Sequence, residues 1–365
     1  MYSFSRIATV VASLLIGIAL AQAQVPAGYP ADYKSIVDGA KKEGKVVVYS
    51  TTDAKLVTPL IKDFEAAFPG VKVEYTDLNS TEVYNRFISE NAANATSADA
   101  VWSSSMDLQM KLAADGLAMT YKSPESAALP AWARWKDSVY ATTFEPIAIV
   151  YNKRLVPPED VPKTHADFVK LLNTKGEKYQ KKVTTYDAEK SGVGFMLVNQ
   201  DAKLNPAFWD LVKAMGARGV TLQSSTGTMM ERVSSGENLI GYNILGSYAL
   251  TRAKKDPSIG VAFTSDYNLV LSRLAFVAKN AKNPNAGKLW VDYLLSKRGQ
   301  TIAAEQAELY SVRSDMTGKD SGAGFANELG SAVKPIAVND ELLQGLDQTK
   351  RLEFLKQWQM ALGRK

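Results

Sequence analysis

"YATTFEPIAIVYN", residues 140–152, decides the fold. The stretch is apolar and long enough for a central strand, yet it holds Pro146, which lacks the amide donor a central strand needs. It reads as a strand that leaves one sheet and enters another, with the proline at the crossing. A second long apolar stretch, "NLVLSRLAFVAK" at residues 268–279, reads as the return. Two crossings between two α/β units describe a hinged molecule with a cleft.

Working outward, strand-like and helix-like segments alternate on both sides, the mark of an α/β protein with mostly parallel sheets. Residues 45–49 are a β-branched run. The helix over 53–68 places Leu56, Leu60, Ile61, Phe64 and Phe68 at helical spacing until Pro69-Gly70 stops it. Val71, Val73 and Tyr75 alternate as a strand, Ser80 caps the next helix, and "SSSMD" at residues 103–107 follows a third strand. Downstream, "THADFVKLL" is a helix capped by Thr164, and "KVTTYDA" is a strand. "NPAFWDLVKAMGARG" is a helix closed by Gly219, and "NLIGYNILGSYALTRAKK" is a strand, a turn and a helix. Residues 318–332, rich in glycine and serine, read as a mobile loop. Leu346, Leu352, Leu355 and Trp358 mark one face of a terminal helix.

The 365 residues contain no cysteine, so disulfides and thiolate metal sites are excluded. "MYSFSR", an apolar run and "AQA" at residues 21–23 read as a secretory signal over 1–23, and no later stretch is apolar enough to span a bilayer. The net charge of +5 is scattered among acids without an aromatic-basic stripe, which speaks against a nucleic-acid partner and suits an anionic ligand.

The strand ends are rich in hydroxyls: Ser50-Thr51-Thr52, Ser103-Ser104-Ser105 and Thr142-Thr143. A hydroxyl there can cap a helix, as Thr52 or Asp53 would for the helix that follows, or, with free helix N–H groups, hold an anion. Ligands of open α/β sheets bind beyond the carboxyl ends of strands, where these junctions lie. Asp187, Ser191 and Gly192 stand at a similar turn, as do Tyr242, Asn243 and Ser247. So many junctions on one cleft favour ligand binding over capping alone. Glu145 either faces a ligand hydroxyl or serves the crossover. Arg273, a cation in an apolar strand, either pairs with a carboxylate such as Glu145 or meets the ligand. Trp102 reads as core. His165, the only histidine, reads as a surface residue beside a capping threonine.

Taken in order, "KKEGKVVVYSTTD", "DFEAAFPGVKVEY", "ADAVWSSS", "EPIAIVYNK" and "NAGKLWVDYLLSKRGQ" resemble the solute-binding proteins of bacterial ABC importers, in the branch with ferric-iron and sugar-phosphate binders. The resemblance implies a two-lobed type II periplasmic-binding-protein fold with a hinged interlobe cleft. Lobe 1 would take residues 40–145 and 269–312, lobe 2 residues 146–268, and a helical segment over 313–365 would pack on lobe 2. It also implies a periplasmic monomer that passes a small solute to a membrane permease, without catalysis or cofactor. The ferric branch uses adjacent tyrosines in the second lobe. Here Tyr242 and Tyr248 stand apart, so a small carboxylate or phosphorylated anion is expected, with ferric ion or a ferric chelate as the alternative. The expected ligand set is Ser50, Thr51, Thr52, Ser103, Ser104, Ser105 and Thr143 on one side, and Asp187, Ser191, Gly192, Tyr242, Asn243 and Ser247 on the other. A secreted hydrolase is disfavoured: no G-x-S-x-G or phosphate-binding glycine loop is present, and His165 is far in sequence from any elbow-like serine.

Overall fold

The computed structural model describes residues 25–319 and 321–364. The expected signal segment lies outside them. The strands are β1 (Lys45–Ser50), β2 (Lys72–Asp77), β3 (Ala100–Ser103), β4 (Arg134–Trp135), β5 (Val139–Ala141), β6 (Glu145–Asn152), β7 (Val183–Tyr186), β8 (Thr221–Gln223), β9 (Ile240–Leu245), β10 (Ile259–Ala262), β11 (Asn268–Leu271), β12 (Leu274–Val277) and β13 (Val333–Pro335). They form two sheets. The first runs β2-β1-β3-β12-β5-β4; the second runs β13-β11-β6-β9-β7-β8, with β10 alongside β6. In the first, β2, β1 and β3 are parallel, and β12 lies antiparallel to β3 and to β5.

The chain leaves the first sheet after β5 and enters the second at β6; it returns between β11 and β12. Each expected long strand is therefore two strands, broken at the crossing. The two crossings lie side by side: Leu271 is in register with Glu145, and the Thr142 N–H donates to the Arg273 carbonyl at 2.9 Å. Pro146 sits in register with Val270 at the very start of β6, as its missing donor led us to expect.

Helices α1 (Lys34–Glu43), α2 (Ala54–Ala67), α3 (Ser80–Ala92), α4 (Met106–Ala114), α5 (His165–Thr174), α6 (Gly192–Leu204), α7 (Phe208–Ala217), α8 (Thr226–Ser235), α9 (Gly246–Lys255), α10 (Pro284–Leu295), α11 (Lys297–Ala307), α12 (Gly322–Leu329) and α13 (Gln348–Ala361) accompany the sheets. β1 is "KVVVYS", with Val46 and Val48 fully buried. α2 brings Phe64 edge-on to Trp290 of α10, ring centroids 5.1 Å apart, the arrangement that aromatic quadrupoles prefer. Around the second sheet, Trp358 of α13 stacks on Phe208 of α7 at 6.4 Å.

Three local expectations are corrected. α3 is capped by Asn79, not Ser80: the Asn79 side chain accepts from the Glu82 N–H and Glu82 answers on the Asn79 N–H, a reciprocal capping box. The glycine-rich stretch is not a loop but carries α12, because Ser321 caps it and Phe325 packs against Phe263 and Phe144 at 4.9 and 6.2 Å. No turn separates β9 from α9. Gly246 makes the joint, and a Cβ there would stand 2.4 Å from the Pro146 carbonyl oxygen.

Candidate functional site

A cavity of about 180 Å³ opens between the two sheets' carboxyl ends, lined by Thr51, Asp53, Asp77, Ser80 and Ser104 on one side and by Tyr186, Ser224, Ser225, Thr226 and Tyr248 on the other. Sites for drug-sized ligands run to ~300–1,000 Å³, so a guest here is small.

On the first side, the β1–α2 turn splits its hydroxyls by role. Ser50 and Thr52 are fully buried, and Ser50 Oγ accepts from the Thr52 N–H at 3.1 Å, which closes the turn. Thr51 between them faces the cavity. Its Oγ1 accepts from the Ser104 N–H at 2.9 Å and lies 3.1 Å from Ser104 Oγ. The β3–α4 turn repeats the pattern. Ser103 Oγ accepts from the Ser105 N–H at 3.2 Å, and Ser105 donates to Asp107 at 2.9 Å, leaving Ser104 as the cavity residue. The first N–H of α2, on Ala54, donates to Asp77 at 3.0 Å. Burial, with Asp53 next to it, raises the Asp77 pKa.

On the second side, Ser225 caps α8 by accepting from the Thr228 N–H, and the Tyr186 hydroxyl bonds Thr226. Burial pushes both cavity tyrosines, 186 and 248, well above the ordinary phenol range. The two sides also touch directly. The Tyr248 hydroxyl accepts from the Asp53 N–H at 3.2 Å and donates to Asp53 Oδ1 at 2.9 Å. Thr81 Oγ1 accepts from the Gly192 N–H at 3.2 Å, and Ser80 Oγ from the Val193 N–H at 3.1 Å. The lobes are thus closed on one another.

Under the cavity lies the hinge. Arg273 and Glu145, one on each crossing, are both fully buried, with Nε 2.9 Å from Oε1. Burial works against the guanidinium charge, and Glu145 more than offsets it, so the Arg273 pKa is raised. Glu145 also accepts from Thr143 at 2.8 Å and from Ser247 at 2.5 Å. Arg273 Nη1 donates to the Thr51 carbonyl at 3.2 Å. One network therefore runs from the cavity turn of the first lobe through both crossings to α9 of the second. Of the two uses left open for Arg273, pairing with Glu145 is the one observed.

Of the sequence-selected residues, Thr51 and Ser104 line the cavity. Ser50, Thr52, Ser103 and Ser105 shape the two turns beneath them. Thr143 and Ser247 belong to the hinge network. Gly192 is a seam residue, since a Cβ there would stand 2.7 Å from Leu108 and 3.0 Å from Ser105 Oγ. Ser191 caps α6 by accepting from the Gly194 N–H at 3.2 Å, and Asp187 closes the preceding turn on the Glu189 N–H at 3.0 Å. Tyr242 and Asn243 lie apart from the cavity and donate to buried Asp201 at 2.9 and 2.7 Å. His165 joins that cluster, so its reading as a surface residue is corrected: it is buried, stacked on Tyr267 at 4.0 Å and 3.0 Å from Asp266. Trp102 is core, donating to Thr142 at 2.7 Å.

Sequence reading missed Ser224, Ser225 and Thr226, although "LQSSTGT" carries the same strand-to-helix hydroxyl signature as "VYSTTD". It also missed Asp77 and Tyr248, which nothing local distinguishes from a strand end and a helix face.

A family model described as bacterial extracellular solute-binding protein matches residues 59–323. The chain is similar to a substrate-binding protein of an ABC transporter from Agrobacterium tumefaciens, with 39% identity and a TM-score of 0.84 over 87% of this chain and 94% of that one. AfuA from Actinobacillus pleuropneumoniae, solved with fructose-6-phosphate, shares the fold at 18% identity and a TM-score of 0.70, covering 88% of this chain and 99% of that one. Iron-bound HitA from Pseudomonas aeruginosa does so at 19% identity and a TM-score of 0.67, covering 87% and 99%. No curated protein matches the chain. The two sheets, the paired crossings and a cleft at the strand ends are the architecture of these relatives, and the chain belongs to the bacterial extracellular solute-binding proteins, the substrate-binding components of ABC transporters.

Proposed function

We propose that the protein captures a small organic oxyanion, a carboxylate or a phosphorylated compound, between its lobes in the periplasm and presents it to a membrane permease, without chemistry of its own. Solute-binding proteins of ABC importers bind small solutes and work with such permeases. Among the described residues, no helix is long and apolar enough to cross a membrane.

The observation that carries the anion is the state of the cavity hydroxyls. The Thr51 oxygen already accepts from the Ser104 N–H and lies 3.4 Å from Arg273 Nη1. The Thr51–Ser104 hydroxyl pair shares one internal bond, so one of its two protons remains for a guest. Such protons, beside the N-termini of α2, α3 and α8, seek a negative oxygen.

A ferric guest is the second reading, favoured by the hard oxygens of Tyr186, Tyr248, Asp53 and Asp77 around one cavity. Against it, both phenols are already hydrogen-bonded, Tyr186 with Thr226 and Tyr248 to Asp53, whereas a ferric ligand must lose its proton.

A thermal-shift series with small carboxylates, sugar phosphates and ferric citrate tests the choice. An oxyanion should raise the melting temperature by mass action, and Ser104→Ala should weaken its binding about tenfold or more while the unliganded melting point stays put, because Thr51 still accepts from the backbone N–H at position 104. A shift with ferric citrate alone, or turnover of any compound, contradicts the proposal.

A further inference from the structure

The charges around the cavity are lopsided. Among the described lining side chains the ionisable acids are Asp53 and Asp77, and there is no lysine, arginine or histidine. Arg273 stands behind Thr51 with its charge matched by Glu145. A simple anion would enter beside two carboxylates with no cation to meet it, and like charges at close range count against binding.

Both carboxylates keep an oxygen for a guest. Asp53 receives the Tyr248 hydroxyl on Oδ1, and Asp77 receives the Ala54 N–H on Oδ2. Their second oxygens receive no hydrogen bond from the described residues. Both stand at the α2 end of the cavity, Asp53 as the residue before that helix and Asp77 on its first amide.

The donors form a separate set, and one of them is independent evidence of an absent acceptor. Ser80 lines the cavity at 6% exposure; its oxygen accepts from the Val193 N–H, and its own proton finds no acceptor among the described residues. A buried hydroxyl with an idle proton is costly unless something arrives to take it. With Thr51–Ser104 and Tyr186–Thr226, which each share one bond between two hydroxyls, donors and carboxylates provide two unlike ends within one small cavity.

Resting on the oxyanion reading above, we propose that the solute is a zwitterion: a small oxyanion that also carries an ammonium group, with the ammonium at Asp53 and Asp77 and the oxyanion at the hydroxyls of Ser80, Ser104 and Thr226. The ammonium supplies the positive charge the cavity walls lack. Two of its three N–H donors suit the two free carboxylate oxygens. The class includes amino acids and amino-alcohol phosphates of a few heavy atoms.

Titration calorimetry with matched probes tests this: β-alanine against 3-hydroxypropionate and propionate, and O-phosphoethanolamine against ethyl phosphate. One amino member should bind at least about tenfold more tightly than its ammonium-free counterparts, a step of the size one specific charge contact gives. Asp77→Asn, which keeps an oxygen for the Ala54 N–H, should erase most of that preference and tighten binding of the ammonium-free probe. Equal or better binding of the ammonium-free members overturns the zwitterion and leaves the oxyanion reading intact. Binding of neither set overturns both.

Discussion

At the residue scale, Arg273 ties the two crossings to the cavity turn through Glu145 and the Thr51 carbonyl. A buried ion pair adds little over a well-packed apolar pair, but removing one partner strands the other charge at a cost of about 3–5 kcal/mol. Glu145→Gln should therefore lower stability by roughly that amount, and Glu145→Gln with Arg273→Met should recover much of it, as read by urea unfolding. The double variant should still bind solute more weakly than the native protein, because Arg273 also holds the Thr51 carbonyl. Full affinity in a stable double variant would show that the ion pair serves the fold alone. This pair was half legible in the sequence. A cation interrupting an apolar strand demands a partner, and Glu145 opens the other crossing; that the guanidinium also reaches the β1–α2 turn is set by the tertiary approach of segments more than 200 residues apart.

At the element scale, periodicity gave most strands and helices, because buried faces recur at spacings of 2 and 3.6 whatever lies across from them. The crossings were legible through Pro146. What was not legible is which hydroxyl of each cluster faces the cleft. Ser50, Thr51 and Thr52 are alike in sequence, and the turn points the outer two inward and the middle one out. Composition also misled at α12, where Ser321 and Phe325 outweigh the surrounding glycines. The seam between α4 and α6 carries the prediction at this scale. Gly192 has no room for a branched side chain beside Leu108 and Ser105, so Gly192→Val should hold the lobes apart. Solute affinity should drop about tenfold or more, while the unliganded melting temperature barely moves, since the lobe cores are untouched. A variant that binds normally would mean the lobes close without this contact.

At the scale of the whole molecule, ligand stabilises the closed form because that form alone offers both sides of the cavity, so binding shifts a population. Stability should also respond to pH through buried acids outside the cavity lining. Burial raises Asp107 and Asp292 to about 6, Asp292 beneath the hydroxyls of Tyr33 and Tyr121 at 2.7 and 2.6 Å. Between pH ~4 and ~6 the folded chain holds protons that the unfolded chain has released, so stability falls as pH rises through that window. Asp160 and Asp266 are held down at about 2, so their contribution is present above pH ~4 and lost as pH falls toward ~2. Asp292→Asn should flatten the decline between pH ~4 and ~6 in a series of thermal melts; an unchanged decline would show that this carboxyl titrates normally.

The central claim is that turns from both lobes meet on one guest. A crystal structure of the protein with its tightest-binding solute tests that most directly. The account predicts an anionic oxygen within hydrogen-bonding distance of Ser104 or Ser80 and, in the same molecule, a contact to Ser225 or Thr226. A solute bound to one lobe only, or outside this cavity, contradicts it.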